Sequence, residues 1–336
     1  MWESVEVTDP TSALPPVCVL GLGLIGGSLL RVLHDAGHDA FGYNRSTQTA
    51  QDAVGDGYSA SSDLDETLRR AADVDALVVL ATPVTTIEPL VARVAELAPT
   101  ALLTDVISVK QEVTEIVRRV HPGGRYVGGH PMAGTSRSGW AATDPTLFGG
   151  AMWMVTTEDT TPADDWLTVA TMALAAGASV VPAAPDAHDR AVAAISHLPH
   201  LTAAATAAVG AAESGLALRL AAGSFRDGTR VAGSAPALQR AMVEANRIAV
   251  LNVLSETIDR LIAARDDLRD KGNVEILIDD GHRARRAYEA MAESDVQPIT
   301  GVTVGAEGWQ SELRRQAHAG RVWAVSYTHL TLPTSD

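Results

Sequence analysis

The sequence predicts an α/β chain in two parts, a doubly wound parallel sheet followed by an all-helical domain. Three observations carry this. Short β-branched runs alternate with helical segments from Pro16 to about Thr157. A glycine-rich turn, Gly21-Leu22-Gly23-Leu24-Ile25-Gly26, follows the first of those runs and opens a helical segment. Beyond Thr157 alanine-rich helical segments take over, with one short valine-rich run at 179–181.

Residues 17–20, 40–43, 76–81, 102–106, 126–128 and 152–156 read as strands. Residues 25–36, 46–54, 63–71, 87–97 and 110–120 read as the helices between them. Connections of this kind are right-handed crossovers. Between Pro236 and Ile262, Leu238, Met242, Ala245, Ile248, Leu251, Leu254, Ile258 and Leu261 recur at steps of three or four, one continuous apolar stripe on a helix. A long, alanine-lined helix set of this kind is expected to bury its face against a partner subunit. The expected division is a disordered N-terminus at 1–15, a nucleotide-binding domain at 16–160, a helical domain at 161–296, and a truncated extra module at 297–336. The last residues, SYTHLTLPTSD, resemble translated sequencing-adaptor read-through, so the natural C-terminus is expected to be missing.

At 336 residues the chain has room for about two domains. Hydrophobic residues at 46% and charged residues at 20% are values of a chain that buries a core. Acidic residues exceed basic ones, 41 to 26, for a formal charge of −15, and no basic stripe is present, so nucleic acid is not an expected partner. One cysteine, Cys18, excludes a disulfide framework and a cysteine metal site, and no metal is expected. The first fifteen residues lack a basic start and an apolar stretch, so no secretory signal is read and a cytoplasmic location is expected. The charge-free stretch at 191–212 holds His197, Pro199 and His200 with few bulky apolar residues; it reads as the start of a buried helix and not as a membrane span.

The glycine turn has the context that a dinucleotide requires. Gly21 allows the tight turn, Gly23 lets the backbone approach a pyrophosphate, and Gly26 lets helix and strand pack closely. With Leu24 and Ile25, Gly26 opens the helix, whose free N–H groups and partial positive charge face the phosphates. Where an acidic residue would read a ribose 2′-hydroxyl stands Asn44, followed by Arg45. Without a carboxylate there is no repulsion of a 2′-phosphate, and Arg45 can pair with one, so NADP is slightly favoured within an NAD(P) reading.

Further polar clusters fall where such a fold places its chemistry: Asp105-Val106-Ile107-Ser108-Val109-Lys110 at a strand's end, Gly128 to Thr135 past another, Ser196-His197-Leu198-Pro199-His200, and Arg226-Asp227-Gly228-Thr229-Arg230. Together they supply a base, its orienter and an anion clamp, the parts that oxidation of an anionic alcohol requires.

GLGLIGGS at 21–28, ATPV at 81–84, GGHPMAGTSRSG at 128–139, HDRAVAAISHLPH at 188–200 and FRDGTR at 225–230 together resemble the prephenate/arogenate dehydrogenase family, in order and over about residues 16–265. The resemblance implies a doubly wound Rossmann domain followed by an all-helical dimerisation domain, a homodimer, and an active site in the cleft between domains. It implies oxidative decarboxylation of prephenate or arogenate in tyrosine biosynthesis. Carried over by motif, His130 is the catalytic histidine and Ser108 the serine that contacts it and the cofactor. His197 contacts substrate, Arg230 binds a substrate carboxylate, and Thr135 and Ser136 line the pocket. Thr82 and Pro83 fall among the cofactor contacts. Ser136 stands where some relatives have glutamate, and Asn44 where some have aspartate.

Two other readings have distinct signatures. A β-hydroxyacid dehydrogenase or imine reductase would be expected to carry a lysine in the interdomain helix, and 188–212 contains none. A non-catalytic NADP-sensing protein would keep the glycine turn without needing His130, Ser108 and Arg230.

Overall fold

Strands of a parallel sheet covered on both faces must be apolar throughout, and the run VCVL is buried at every position. It forms β1 (Val17–Leu20). There follow α1 (Leu24–Asp35), β2 (Ala40–Tyr43), α2 (Thr47–Gly55), β3 (Ser59–Ser61), α3 (Leu64–Asp73), β4 (Leu77–Leu80), α4 (Ile87–Leu97), β5 (Leu102–Asp105), α5 (Gln111–Val120) and β6 (Arg125–Tyr126). The computed structural model describes residues 14–135 and 137–323. Ser136, the tail SYTHLTLPTSD and all but the end of the segment 1–15 lie outside the described residues.

Six strands form one sheet in the order β3-β2-β1-β4-β5-β6, every neighbouring pair parallel. The chain grows from β1 toward β2 and β3, then resumes on the other side at β4. The strand order therefore reverses between β1 and β4, where such sheets open a ligand crevice at their carboxyl ends.

A second sheet holds β7 (Gly129–Pro131), β8 (Met152–Thr156) and β9 (Ser179–Ala183), with α6 (Ala163–Ala175) between the last two. β8 pairs antiparallel with β7 and parallel with β9. This corrects the expectation that 126–128 is one strand and that 152–156 joins the large sheet. Arg125 and Tyr126 close the large sheet, and the chain then changes sheets at Val127 and Gly128. The glycines permit the crossing: a Cβ on Gly129 would lie 2.7 Å from the Asp105 main-chain oxygen and 2.8 Å from the Trp153 indole nitrogen.

The chain divides into two compact units at Pro185 and Asp186, not near 160, because β9 pairs along its whole length with β8. Residues 297–323 rejoin the first unit, and Ile299, Trp309 and Leu313 of the stretch expected as an extra module belong to that unit's core. Trp323 exchanges both main-chain hydrogen bonds with Val180 of β9, at 2.7 and 2.9 Å. The rings of Trp309 and Trp323 stand edge-on to Trp166 at 5.6 and 5.5 Å.

The second unit is helical throughout: α7 (Pro185–Val192), a π-helical turn (Ala193–His197), α8 (Leu198–Glu213), α9 (Gly215–Leu220), α10 (Gly223–Thr229), a 3₁₀ turn (Arg230–Gly233), α11 (Pro236–Ala245), α12 (Arg247–Lys271) and α13 (Glu275–Glu293). In the first unit, α14 (Trp309–His318) completes the chain's helices among the described residues. The apolar stripe is not one helix, since Asn246 separates α11 from α12. Half of its residues are left exposed in the single chain, among them Ile248 at 68% and Leu261 at 53%. α8 is likewise not the buried helix expected, with only Ala203 buried along it. The unit's interior is small, built on Ala193, Ala249, Val250 and Val253. The helical run Pro185–Glu213 is long and apolar enough, by length and composition, to cross a membrane.

Candidate active site

The three glycines of the turn meet different surroundings. Gly21 has φ +111°, and a Cβ there would lie 2.7 Å from both the Ala81 oxygen and Thr82 Cγ2. A Cβ on Gly26 would lie 2.0 Å from the Gly21 oxygen. These two serve the fold itself, one for the turn and one for close packing against β1. Gly23 meets nothing within 4 Å. Its lack of a side chain serves no internal contact, and it is the residue before the first turn of α1, where N–H groups point outward. An open, side-chain-free helix N-terminus at the strand-order reversal fits a dinucleotide pyrophosphate.

Asn44 and Thr82 close the same corner. Asn44 Oδ1 accepts a hydrogen bond from the Leu22 N–H at 3.0 Å, which holds the glycine turn against the end of β2. Thr82 accepts from the Thr86 hydroxyl at 2.9 Å, and Pro83 leads into the turn before α4. Arg45 is exposed, and among the described residues its guanidinium has no ion-pair or hydrogen-bond partner. Ser46 next to it caps α2 by accepting from the Thr49 N–H.

Beyond β5 a buried charge pair organises the backbone. Asp105 and Lys110 are both inaccessible to solvent and paired with each other. The Asp105 carboxylate also accepts from the Ile107 N–H at 2.8 Å and the Tyr126 hydroxyl at 2.7 Å. The Lys110 ammonium donates to the Gly129 oxygen at 2.6 Å. One ion pair thus joins both ends of the loop bearing Ser108 to the residue before His130. Ser108 is half-buried and does not cap α5, whose first residue is preceded by Lys110. Its hydroxyl makes no hydrogen bond among the described residues. His130 is half-buried in β7 opposite Met154 of β8. Thr135 is exposed in the loop after β7 and accepts from the Arg137 N–H at 3.2 Å.

In the second unit His197 ends the π-helical turn, a feature found often at functional sites. It is 1% exposed. Burial pulls its pKa down from 6.5 to about 4, with His188 and His200 acting in the same direction and Asp189 against it. Its imidazole is therefore neutral at physiological pH. Arg230 is exposed at the start of the 3₁₀ turn that packs on α8. Gln239 braces that turn by donating to the Ser234 oxygen at 2.7 Å. A Cβ on Gly210 of α8 would lie 2.5 Å from the Phe225 ring, which shows how closely α10 seats there.

The structure therefore gathers the glycine turn, Asn44 and Thr82 at one corner of the sheet. It ties the Ser108 loop to the strand of His130, and sets Arg230 on a turn that packs on α8, the helix that follows His197. Sequence reasoning missed Asn246, which is 3% exposed and bonded to His197, and the buried pair His188 and Asp189 at 2.8 Å. The sequence signal available for the latter was a histidine beside an aspartate in a helical run otherwise rich in alanine. Among the described residues no three histidine, cysteine or acidic side chains gather as a metal site. Burial pushes the Cys18 thiol up to about 12, so it is an inert core group.

Residues 29–182 match the model of the prephenate dehydrogenase nucleotide-binding domain, and residues 184–278 that of the prephenate dehydrogenase dimerization domain. The prephenate dehydrogenase of Bacillus subtilis is 33% identical over 253 residues, 72% of this chain and 67% of that one. A crystal structure from Corynebacterium glutamicum, described as a candidate prephenate dehydrogenase, is 46% identical with a TM-score of 0.87, covering 92% of this chain and 98% of that one. The Synechocystis arogenate dehydrogenase structure is 32% identical with a TM-score of 0.69, covering 81% and 99%.

Proposed function

The chain belongs to the prephenate dehydrogenase family, and from that premise we propose that it oxidatively decarboxylates prephenate or arogenate with His130 as the base. It is an NAD(P)-dependent oxidoreductase of tyrosine biosynthesis by its relatives. The observation that carries the site reading is the coupling of the Ser108 loop to the strand of His130 through Asp105 and Lys110.

The glycine turn, Asn44, Arg45, Thr82 and Pro83 hold the cofactor in this reading. Hydride acceptance is the chemistry that a bound nicotinamide supplies. His130 takes the proton of the ring hydroxyl, for which an imidazole with an unperturbed pKa of about 6.5 is suited. Ser108 donates to the same oxygen or to His130 and orients the pair. The oxidised ring carbon becomes a carbonyl. The bond to the ring carboxylate then breaks, its electron pair passes through the ring to the carbonyl oxygen, carbon dioxide leaves, and the protonated His130 returns its proton to give an aromatic phenol. Arg230 pairs with a substrate carboxylate, and His197 with a second polar group of the substrate. Thr135 lines the pocket. The direct test is the near-ultraviolet absorbance of the reduced nicotinamide with prephenate, then arogenate, then 3-hydroxyisobutyrate. Turnover of the last alone overturns the reading.

Arg230→Ala is expected to raise KM by about 10–100-fold with kcat little changed, the loss of one charge-assisted hydrogen bond. Its exposed position sets the effect below that of breaking a buried charge pair. An unchanged KM returns Arg230 to an ordinary surface residue.

The cofactor reading favours NADP. Arg45 has no partner among the described residues, and no carboxylate stands at 44 to repel a 2′-phosphate. In Arg45→Ala, kcat/KM with NADP falls by about 10-fold or more while that with NAD holds. Equal losses with both cofactors defeat the assignment.

A homodimer through the helical unit accounts for its uncovered apolar residues. Ile248, Leu251, Ile258 and Leu261 of α12 and Ile276 and Ile278 of α13 face outward in the single chain. Exposed apolar surface on this scale marks an interaction face, and the matching family model is that of a dimerization domain. In this reading the apolar run Pro185–Glu213 belongs to that face and not to a membrane.

A further inference from the structure

Asn246 interrupts the helical stripe and turns its side chain inward. Its Nδ2 lies 2.8 Å from the main-chain oxygen of Asp189 and 3.2 Å from Nδ1 of His197. A main-chain carbonyl only accepts, so the atom facing it is the NH₂ group and the amide has one orientation. That group has two hydrogens, and it has two neighbours at hydrogen-bond distance. The second hydrogen therefore points at His197 Nδ1, which must present a lone pair. A neutral imidazole that accepts at Nδ1 carries its proton on Nε2. Among the described residues Nε2 of His197 makes no hydrogen bond.

We infer that Asn246 is a positioning residue that holds His197 as the neutral Nε2–H tautomer, so that the ring offers a hydrogen-bond donor to a substrate oxygen. The inference rests on the reading that His197 meets the substrate. It assigns the two histidines opposite duties: His130 accepts a proton, while His197 donates a hydrogen bond and keeps its proton. The burial that disfavours the imidazolium at His197 works in the same sense. So does the pairing of His188 with Asp189, which engages the neighbouring carboxylate at 2.8 Å.

The test uses the full-length enzyme with nitrogen-15 in its histidines. Long-range proton–nitrogen correlation spectra at neutral pH distinguish the two neutral tautomers and the imidazolium, and His197→Gln identifies the signals. The wild type is expected to show the Nε2–H tautomer. In Asn246→Asp a carboxylate of the same shape faces Nδ1 and accepts, so the proton moves to Nδ1. kcat/KM then falls by about 10–100-fold, the loss of one donor to an anionic substrate. Asn246→Ala is the companion variant. It removes the donor without adding a charge, and both tautomers are expected. An Nδ1–H tautomer or an imidazolium in the wild type overturns the inference without any variant having to fold. A shifted tautomer with unchanged kcat/KM overturns the donor role. Absence of turnover by the wild type with either ring substrate overturns the functional reading and leaves the tautomer result standing.

Discussion

His130→Asn is expected to lower kcat by about 10²–10⁴-fold while KM stays nearly unchanged, the range for loss of a general base. His130 lies in β7, whose three residues pair with β8 from Gly129 opposite Val155 to Pro131 opposite Trp153. Gly129 before it is held through its oxygen by the Lys110 ammonium. An asparagine side chain keeps a polar group near the same place on a backbone fixed from both sides. It cannot take a proton at working pH. Substrate binding, proposed for Arg230 and His197, is expected to survive. Steady-state rates with each ring substrate, beside a thermal melt of the variant, check both halves of the claim. Turnover at the wild-type rate removes His130 from the mechanism. A raised KM with unchanged kcat makes it a binding group instead.

Much of the first unit was legible because its signals are local. The glycine turn, the strand before it and the helix after it fall within a few residues, and each constrains its neighbour. Spacing singled out Asn44 as a candidate cofactor contact. The bond it accepts from the Leu22 N–H was not legible, because it spans 22 positions. The same limit explains the misplaced boundary. Nothing in the run SVVPA at 179–183 says that its partner is the run MWMVT at 152–156, nor that Trp323 extends the edge after more than a hundred intervening residues. Periodicity read the stripe in α11 and α12 correctly as apolar. It could not see the break at Asn246, because a single asparagine costs a helix little and its stabilising partners, His197 and Asp189, lie far off in sequence. Nor does a stripe say what covers it: Met242, Ala245 and Leu254 are half-buried within the second unit, while Ile248, Leu251, Ile258 and Leu261 stay exposed there.

The largest stability effect expected is that of Lys110→Met, a loss of about 3–5 kcal/mol. Lys110 and Asp105 are both fully buried. Asp105 keeps the Ile107 N–H and the Tyr126 hydroxyl after the change, but loses its counter-charge in a site without solvent. The Gly129 oxygen loses the ammonium as well. Methionine fills most of the space of the lysine stem, so little of the loss is a cavity and most is an uncompensated carboxylate. The double variant Asp105→Leu with Lys110→Met separates these contributions. Replacing both members of a buried pair by apolar groups is often near neutral, though here it leaves the Tyr126 hydroxyl and the Ile107 N–H to find other partners. The double variant is therefore expected to be more stable than Lys110→Met alone, and denaturant titration of the wild type, both single variants and the double variant measures the coupling. A single-variant loss below about 1 kcal/mol, the range of a surface pair, contradicts the buried assignment. The same variants read the site. If the pair holds the Ser108 loop and the strand of His130 in one arrangement, kcat of the double variant stays low even where its stability recovers, because apolar packing restores the fold without restoring the bonds that position the base.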